Sequence, residues 1–97
     1  MTVYTLVFCW HDKYNDGAVS TYSYSSLEKA VESACEVMES CVVNDGQTLV
    51  LRGKPITIDT FRDLLLKYRW FTNTARWGED AKENNSWVRI DENVLDK

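Results

Sequence analysis

The chain has 97 residues and a mass of 11.3 kDa, which is the size of one domain and excludes a two-domain enzyme. Hydrophobic residues make up 44% and charged residues 27%, a globular composition that excludes disorder and a collagen-like sequence. The formal net charge of -4 argues against a general coat for nucleic acid. We therefore expect a single domain over residues 1–97.

The cysteine content indicates a reducing compartment. Three cysteines at irregular spacing, Cys9, Cys35 and Cys41, do not describe a paired disulfide framework. No run approaches the roughly 18 apolar residues that span a bilayer, and the first ten residues lack the features of a secretory signal. We expect a cytoplasmic protein that is neither exported nor embedded in a membrane.

The first half of the chain predicts a hairpin followed by a helix. Residues 3–10 are rich in β-branched and aromatic side chains on both alternating faces, which predicts a strand with two covered faces. A turn at residues 15–17 leads to a second strand over residues 18–24. The S-x-x-E pattern of residues 25–28 predicts a helix cap, and apolar residues at three-and-four spacing predict a helix over residues 26–42.

The second half begins with a short hairpin and a second helix. Two strands are expected over residues 48–52 and 56–58, with a glycine in the turn between them. The second helix is expected to have Asp59 or Thr60 as its cap and to end near Phe71.

The end of the chain predicts a loop and a last strand. Residues 73–86 are polar and indicate a long loop, and the alternation over residues 86–91 indicates a strand. The order is then hairpin, helix, hairpin, helix and strand. An antiparallel sheet with both helices on one face is the simplest packing that buries both apolar helix stripes. The sequence therefore predicts an α+β, two-layer domain.

Few residues offer catalytic or metal chemistry. His11 is the only histidine and shares a strand face with Cys9, so a thiolate-imidazole pair is one hypothesis. The core pattern of the strand favours a structural role for Cys9. The cysteines and His11 lack the closely spaced pairs of a zinc site, and the chain has no phosphate-binding glycine motif. We expect no enzyme activity, metal or cofactor.

Charge is distributed unevenly along the chain. Residues 28–46 contain five acids and one base, whereas residues 52–76 contain six bases and two acids. In the first block four glutamates are spaced by four, four and three, which places them along one side of the first helix. They are Glu28, Glu32, Glu36 and Glu39. This side is either a solvated surface or a surface that docks on a basic partner.

The second block offers an alternative site. It interleaves cations with aromatic side chains, which are the components of single-stranded nucleic-acid binding. The candidate residues are Arg62, Lys67, Arg69, Trp70, Arg76 and Trp77. Tyr68 belongs to the apolar stripe of the helix and is expected in the core. Opposite charges on two faces also allow a homodimer.

Two segments resemble those of small phage-encoded accessory proteins. The first runs from W-H-D to N-D-G over residues 10–17, and the second is S-S-L-E-K-A-V, which enters the first helix at Ser25. Together with the acidic composition, they resemble the architecture of anti-CRISPR-like inhibitors over about the first half of the chain. The resemblance implies a non-catalytic inhibitor that occupies a nucleic-acid-binding surface of a host complex. It assigns no functional residue.

The leading hypothesis is therefore a protein-binding module, of the phage-inhibitor type. Its glutamate side would dock on a host protein or ribonucleoprotein complex with a basic surface, with no membrane partner. The second hypothesis is a small single-stranded nucleic-acid-binding protein that uses the basic and aromatic residues.

Overall fold

The computed structural model describes residues 1–11, 16–45, 48–73 and 86–95, and this part of the chain forms six strands and two helices. In chain order they are β1 (Thr2–His11), β2 (Asp16–Tyr24), α1 (Leu27–Asp45), β3 (Val50–Leu51), β4 (Lys54–Pro55), α2 (Ile58–Tyr68), β5 (Trp70–Asn73) and β6 (Ser86–Val94). Within these ranges neither helix is both long and apolar enough to cross a membrane.

Four strands form an antiparallel sheet in the order β2-β1-β6-β5. The central strand β1 pairs with β2 on one side and with β6 on the other. The outer strand β5 pairs with β6, with Trp70 opposite Arg89. Both helices pack on one face of this sheet, α1 mainly against β1 and β2, and α2 against β5. The predicted α+β fold is confirmed, and the last strand extends beyond residue 91 to Val94.

The core lies between the sheet and the two helices. Leu6 and Phe8 of β1 point toward the helices, because alternate side chains of a strand share a face. On the α2 side, Phe61 packs edge-to-face on Phe71 with ring centroids 5.3 Å apart. The residues that α1 contributes to the same cluster are Ala30, Val31, Ala34, Cys35, Met38 and Cys41.

The opposite face of the sheet is more exposed, which corrects the expectation that β1 has two covered faces. Both helices pack on the core face of the sheet, and no described helix covers this opposite face. Thr5 and Cys9 on this face are half-buried, and Val7 is buried. Val7 is shielded because β1 is central, so its cross-strand neighbours Thr21 and Arg89 lie beside it on the same face.

α1 begins one residue later and ends three residues later than predicted. The serine cap is shifted by one residue: the Lys29 amide donates to the Ser26 hydroxyl at 3.2 Å, whereas the pattern assigned the cap to Ser25. At the other end the helix continues through residues 44–45. Cys41 in the last turns is packed in the core, and such packing outweighs the weak helix preference of Asn and Asp.

α2 begins and ends earlier than predicted. Thr57 is the N-cap, and its side chain accepts from the Thr60 amide, which corrects the cap predicted at Asp59 or Thr60. At the other end, Arg69 adopts a left-handed φ of 67° and donates its backbone N–H to the Leu65 carbonyl. No glycine or proline marks this end, so the short strand β5 that follows was absent from the prediction.

The short hairpin differs from the prediction. β3 (Val50–Leu51) lies within the predicted 48–52, whereas β4 (Lys54–Pro55) comes before the predicted 56–58, whose last residue begins α2. The two strands pair only with each other within the described part of the chain. The turn between them contains two successive residues with positive φ, Arg52 at 52° and Gly53 at 78°. Two positive φ values in a two-residue loop are the requirement of a type I′ turn, whose twist matches that of the flanking strands.

We expect Gly53→Ala to lower the free energy of unfolding by about 1 kcal/mol, because a residue with a Cβ is strained at this positive φ. Nothing lies within 4 Å of the new Cβ, so the effect is conformational. Arg52→Gly in the same turn should act in the opposite direction, because it removes a Cβ from a positive φ. Urea denaturation followed by circular dichroism measures both, and destabilisation by both substitutions would contradict this account.

Candidate functional site

The four glutamates predicted as a partner surface lie on the exposed side of α1, opposite its buried stripe. Glu32 differs from the others, because Arg62 Nε donates to its Oε1 at 2.7 Å. Arg62 Nη1 also donates to Asp59 Oδ1 at 2.7 Å. The remaining three form no ion pair with any described residue, and we call them the acidic row: Glu28, Glu36 and Glu39.

Arg62, one of the residues of the predicted nucleic-acid site, lies in an interhelical ion pair. Its guanidinium ties α2 to α1 through Glu32, and hydrogen bonding to that carboxylate raises the pKa of Arg62 above its ordinary value. Both side chains are partly exposed, so the pair adds little to stability. Its main effect is to neutralise the negative charge of Glu32, one of the four glutamates of α1.

Two other basic residues of the predicted nucleic-acid site, Lys67 and Arg69, lie beside aromatic rings. Lys67 Nζ lies 5.1 Å from the centroid of the Tyr68 ring. The Arg69 guanidinium carbon lies 6.0 Å from the centroid of the Tyr4 ring. Hydrogen bonding to the Glu92 carboxylate raises the pKa of Tyr4. Arg69 therefore lies over Tyr4, which is hydrogen-bonded to Glu92, whereas Lys67 lies over the exposed ring of Tyr68.

Trp70 is an exposed aromatic residue at the start of β5. Its exposed fraction is 57%, whereas the next residue, Phe71, is buried in the core. Tyr68 is 55% exposed, so its predicted place in the core is wrong. It belongs to the last turn of α2, just before the left-handed Arg69 that ends the helix. Two further predicted residues lie outside the described part of the chain: Arg76 and Trp77.

Two clefts border Trp70, and we call them the Trp70 clefts. The larger has a volume of about 400 Å³ and lies between α2, β5 and the turn of the β3–β4 hairpin, with Tyr68 and Arg52 in its wall. The smaller has a volume of about 240 Å³ and lies over β5 and β6, with Trp87 and Arg89 in its wall. Both clefts are therefore lined by aromatic rings and by an arginine.

Strand pairing brings these side chains together. Trp70 lies opposite Arg89 and Thr72 opposite Trp87, so all four share the open face of the sheet. The Arg89 guanidinium carbon lies 5.5 Å from the centroid of the Trp87 ring, and its Nε donates to Asp91 Oδ2 at 3.1 Å. The alternation in β6 places Trp87 and Arg89 on one face, as the sequence predicted. Their part in the clefts was missed, because the neighbouring strand β5 was not predicted.

The three cysteines differ in burial. None of them forms a disulfide, and Cys35 and Cys41 are buried whereas Cys9 is half-buried. Burial raises the pKa of the Cys35 thiol to about 11, which is opposite to the activation of a nucleophilic cysteine. The side chain of His11, the other half of the thiolate-imidazole hypothesis, lies outside the described residues. In the described ranges no group of three or more His, Cys, Asp or Glu residues is placed to hold a metal ion.

No family model, curated protein sequence or solved structure matches the chain. The resemblance to phage-encoded inhibitors therefore stays a prediction. The acidic row and the Trp70 clefts are the features from which a function can be inferred.

Proposed function

We propose that the protein is a non-catalytic protein-binding module whose acidic row docks on a basic surface of a host protein or ribonucleoprotein complex. In this role it acts as an inhibitor, because a nucleic-acid-binding surface covered by the acidic row is closed to nucleic acid. The phage origin is proposed from the resemblance of the sequence to small phage-encoded inhibitors. The observation that supports the proposal is uncompensated charge. No described basic residue pairs with the acidic row, although the chain has 11 lysines and arginines.

α1 presents the acidic row on a rigid support, because its opposite side is buried in the core. At a rise of 1.5 Å per residue, the distance along the helix from Glu28 to Glu39 is about 16 Å. Along the helix axis the three carboxylates of the acidic row are spaced by about 12 Å and about 4.5 Å, compared with one phosphate per 3.4 Å along a DNA strand. Anionic groups fixed along one edge in this way can compete with nucleic acid for a basic groove.

A basic partner would relieve repulsion within the acidic row. Glu36 and Glu39 are about one turn apart, and like charges at this spacing are destabilising by a few tenths of a kcal/mol per pair. Glu39 also lies in the C-terminal half of α1, toward the negative end of the helix dipole. Complementary charge on a partner favours binding and speeds encounter, and salt weakens both effects. We therefore expect a partner surface rich in lysine and arginine and an affinity that falls with salt.

We place this activity in the cytoplasm. None of the three cysteines forms a disulfide, and disulfides are rare in a reducing compartment.

Reversing the charge of two residues of the acidic row, Glu36 and Glu39, is expected to weaken partner capture strongly. Affinity capture from a nuclease-treated lysate of the host should retain a protein partner with the wild-type chain. The Glu36→Lys/Glu39→Lys variant should retain at least about tenfold less, because two attractive charges become repulsive. Both side chains are exposed, so the variant should keep its circular dichroism spectrum and its denaturation midpoint.

Glu36→Lys alone should also capture less partner than the wild type, and Asp63→Lys is its matched control. Asp63 is an exposed acid on α2, outside the acidic row, and the substitution makes the same change in charge. The control should capture the partner as well as the wild type does. Equal capture by the charge-reversed and wild-type chains, or capture that nuclease removes, would contradict the proposal.

A further inference from the structure

We infer that the Trp70 clefts form a second binding surface, which takes single-stranded nucleic acid by stacking bases on Trp70. The inference does not depend on the acidic row, since none of its residues lines either cleft. It changes the residues of the alternative site predicted from sequence. Among the described residues, the arginines that line the clefts are Arg52 and Arg89, in place of Arg62 and Arg69.

Trp70 is exposed and has no place in the core. More than half of its surface is accessible, and the adjacent Phe71 supplies the core contact of β5. Exposed indole surface is unfavourable in water. A stacked nucleobase would cover this surface, and stacking on aromatic side chains is the main sequence-independent contact of single-stranded nucleic-acid binding.

The clefts provide aromatic rings on two sides of Trp70. The larger, at about 400 Å³, falls within the range of about 300 to 1,000 Å³ that is common for ligand pockets. Tyr68 lines the larger cleft and Trp87 the smaller one, so each cleft has a second ring. Such a platform accepts any base, because every base has a π face.

The charges around the clefts favour an anionic ligand. Within the described part of the chain, the charged residues that line them are Arg52 in the larger cleft and Arg89 in the smaller one. A guanidinium can donate two parallel hydrogen bonds to a phosphate and can also stack on a base. Lys67, above the ring of Tyr68, adds a third cation beside the larger cleft. A single-stranded nucleic acid that crosses Trp70 therefore meets Arg52 on one side and Arg89 on the other.

Asp91 limits the charge available at the smaller cleft. Its carboxylate accepts a hydrogen bond from Arg89, whose guanidinium also lies over the Trp87 ring. A phosphate at this position has to compete with Asp91 for the guanidinium. Removing the carboxylate should therefore strengthen binding, a response that is not expected if Arg89 has only a structural role.

A proline-rich peptide is the other occupant that aromatic clefts commonly accept. Such a peptide is held by contacts with rings and carries no phosphate for the arginines to bind. An arginine in each cleft, with no acid among the described lining residues, favours nucleic acid.

Fluorescence anisotropy of a labelled oligothymidine of about ten nucleotides, mixed with the full chain at low salt, tests the inference. We expect binding that weakens as salt rises, because phosphate contacts release counterions. Trp70→Ala should weaken the affinity about tenfold, the size of one lost base stack. Trp70→Phe should retain most of the affinity, because the ring is kept.

Two charge variants test whether the arginines bind phosphate, and a control variant tests whether binding is specific to the clefts. Arg52→Ala should weaken binding and reduce the slope of log affinity against log salt by about one. Asp91→Asn should strengthen binding. Tyr22→Ala should leave the affinity unchanged, because Tyr22 is an exposed aromatic residue of β2, at the other edge of the sheet.

Three results would overturn the inference. They are no binding at low salt, equal affinity of the wild type and Trp70→Ala, and binding of a labelled decaproline peptide in place of the oligonucleotide. Trp70 lies outside the core, so its variants are expected to fold, and circular dichroism checks this.

Discussion

Replacing Phe61 with alanine is expected to lower the free energy of unfolding by about 3 to 5 kcal/mol. Phe61 is fully buried and packs edge-to-face on Phe71, with ring centroids 5.3 Å apart. The substitution removes the ring and leaves a cavity between α2 and β5. The total stability of a domain of this length is about 5 to 15 kcal/mol, so the variant should unfold at much lower denaturant concentration.

Urea denaturation followed by circular dichroism measures this effect. Leu66→Ala, on the same helix but at an exposed position, is the control and should cost less than about 1 kcal/mol. Similar losses for the two variants would contradict the account of the core. Because Phe71 is next to Trp70 in the chain, its contact with Phe61 also positions the Trp70 clefts.

The second large effect is expected at high pH, where ionisation of Cys35 should remove about 2 kcal/mol of stability between pH 9 and pH 11. Burial raises the pKa of the Cys35 thiol from 9.0 to about 11. Between these values the unfolded chain releases the proton and the folded chain keeps it, so rising pH favours unfolding. The contribution is fully present below pH 9 and is lost as the pH rises through about 11.

The Cys35→Ala variant separates this thiol from the tyrosine and lysine side chains that titrate in the same range. At neutral pH the wild type should be the more stable of the two, because alanine leaves a small cavity in the core. Urea denaturation across the alkaline range, with a reducing agent present, should show this difference shrinking by about 2 kcal/mol toward pH 11. A difference that stays constant with pH would show that Cys35 keeps an ordinary pKa.

Local patterns were enough to predict α1 and the side of it that carries the acidic row. Apolar residues at three-and-four spacing have to face the core together, and they do so in Ala30, Ala34 and Met38. The glutamates between them then lie on the exposed side by helical geometry. The pairing of Glu32 with Arg62 was not predictable in this way, because the two residues are 30 positions apart.

The end of α2 shows why β5 was missed. Apolar residues continue past Tyr68 with no glycine or proline to mark a stop, so the pattern extends the helix to Phe71. In the structure Arg69 takes a left-handed φ that is unfavourable for a residue with a Cβ. Packing of Phe71 on Phe61 in the core offsets this cost, and a contact of that kind has no local pattern.

Periodicity within single elements thus predicted the α+β class, the longer helix and the position of the acidic row, because each depends on residues that are close in the chain. The Trp70 clefts depend on pairing between β5 and β6, which sets Trp70 opposite Arg89 and beside Trp87. Contacts between strands are set by how the whole chain buries its apolar surface. For this reason the basic and aromatic residues could be recognised from sequence, whereas the particular ones that meet at the clefts emerged only with the folded chain.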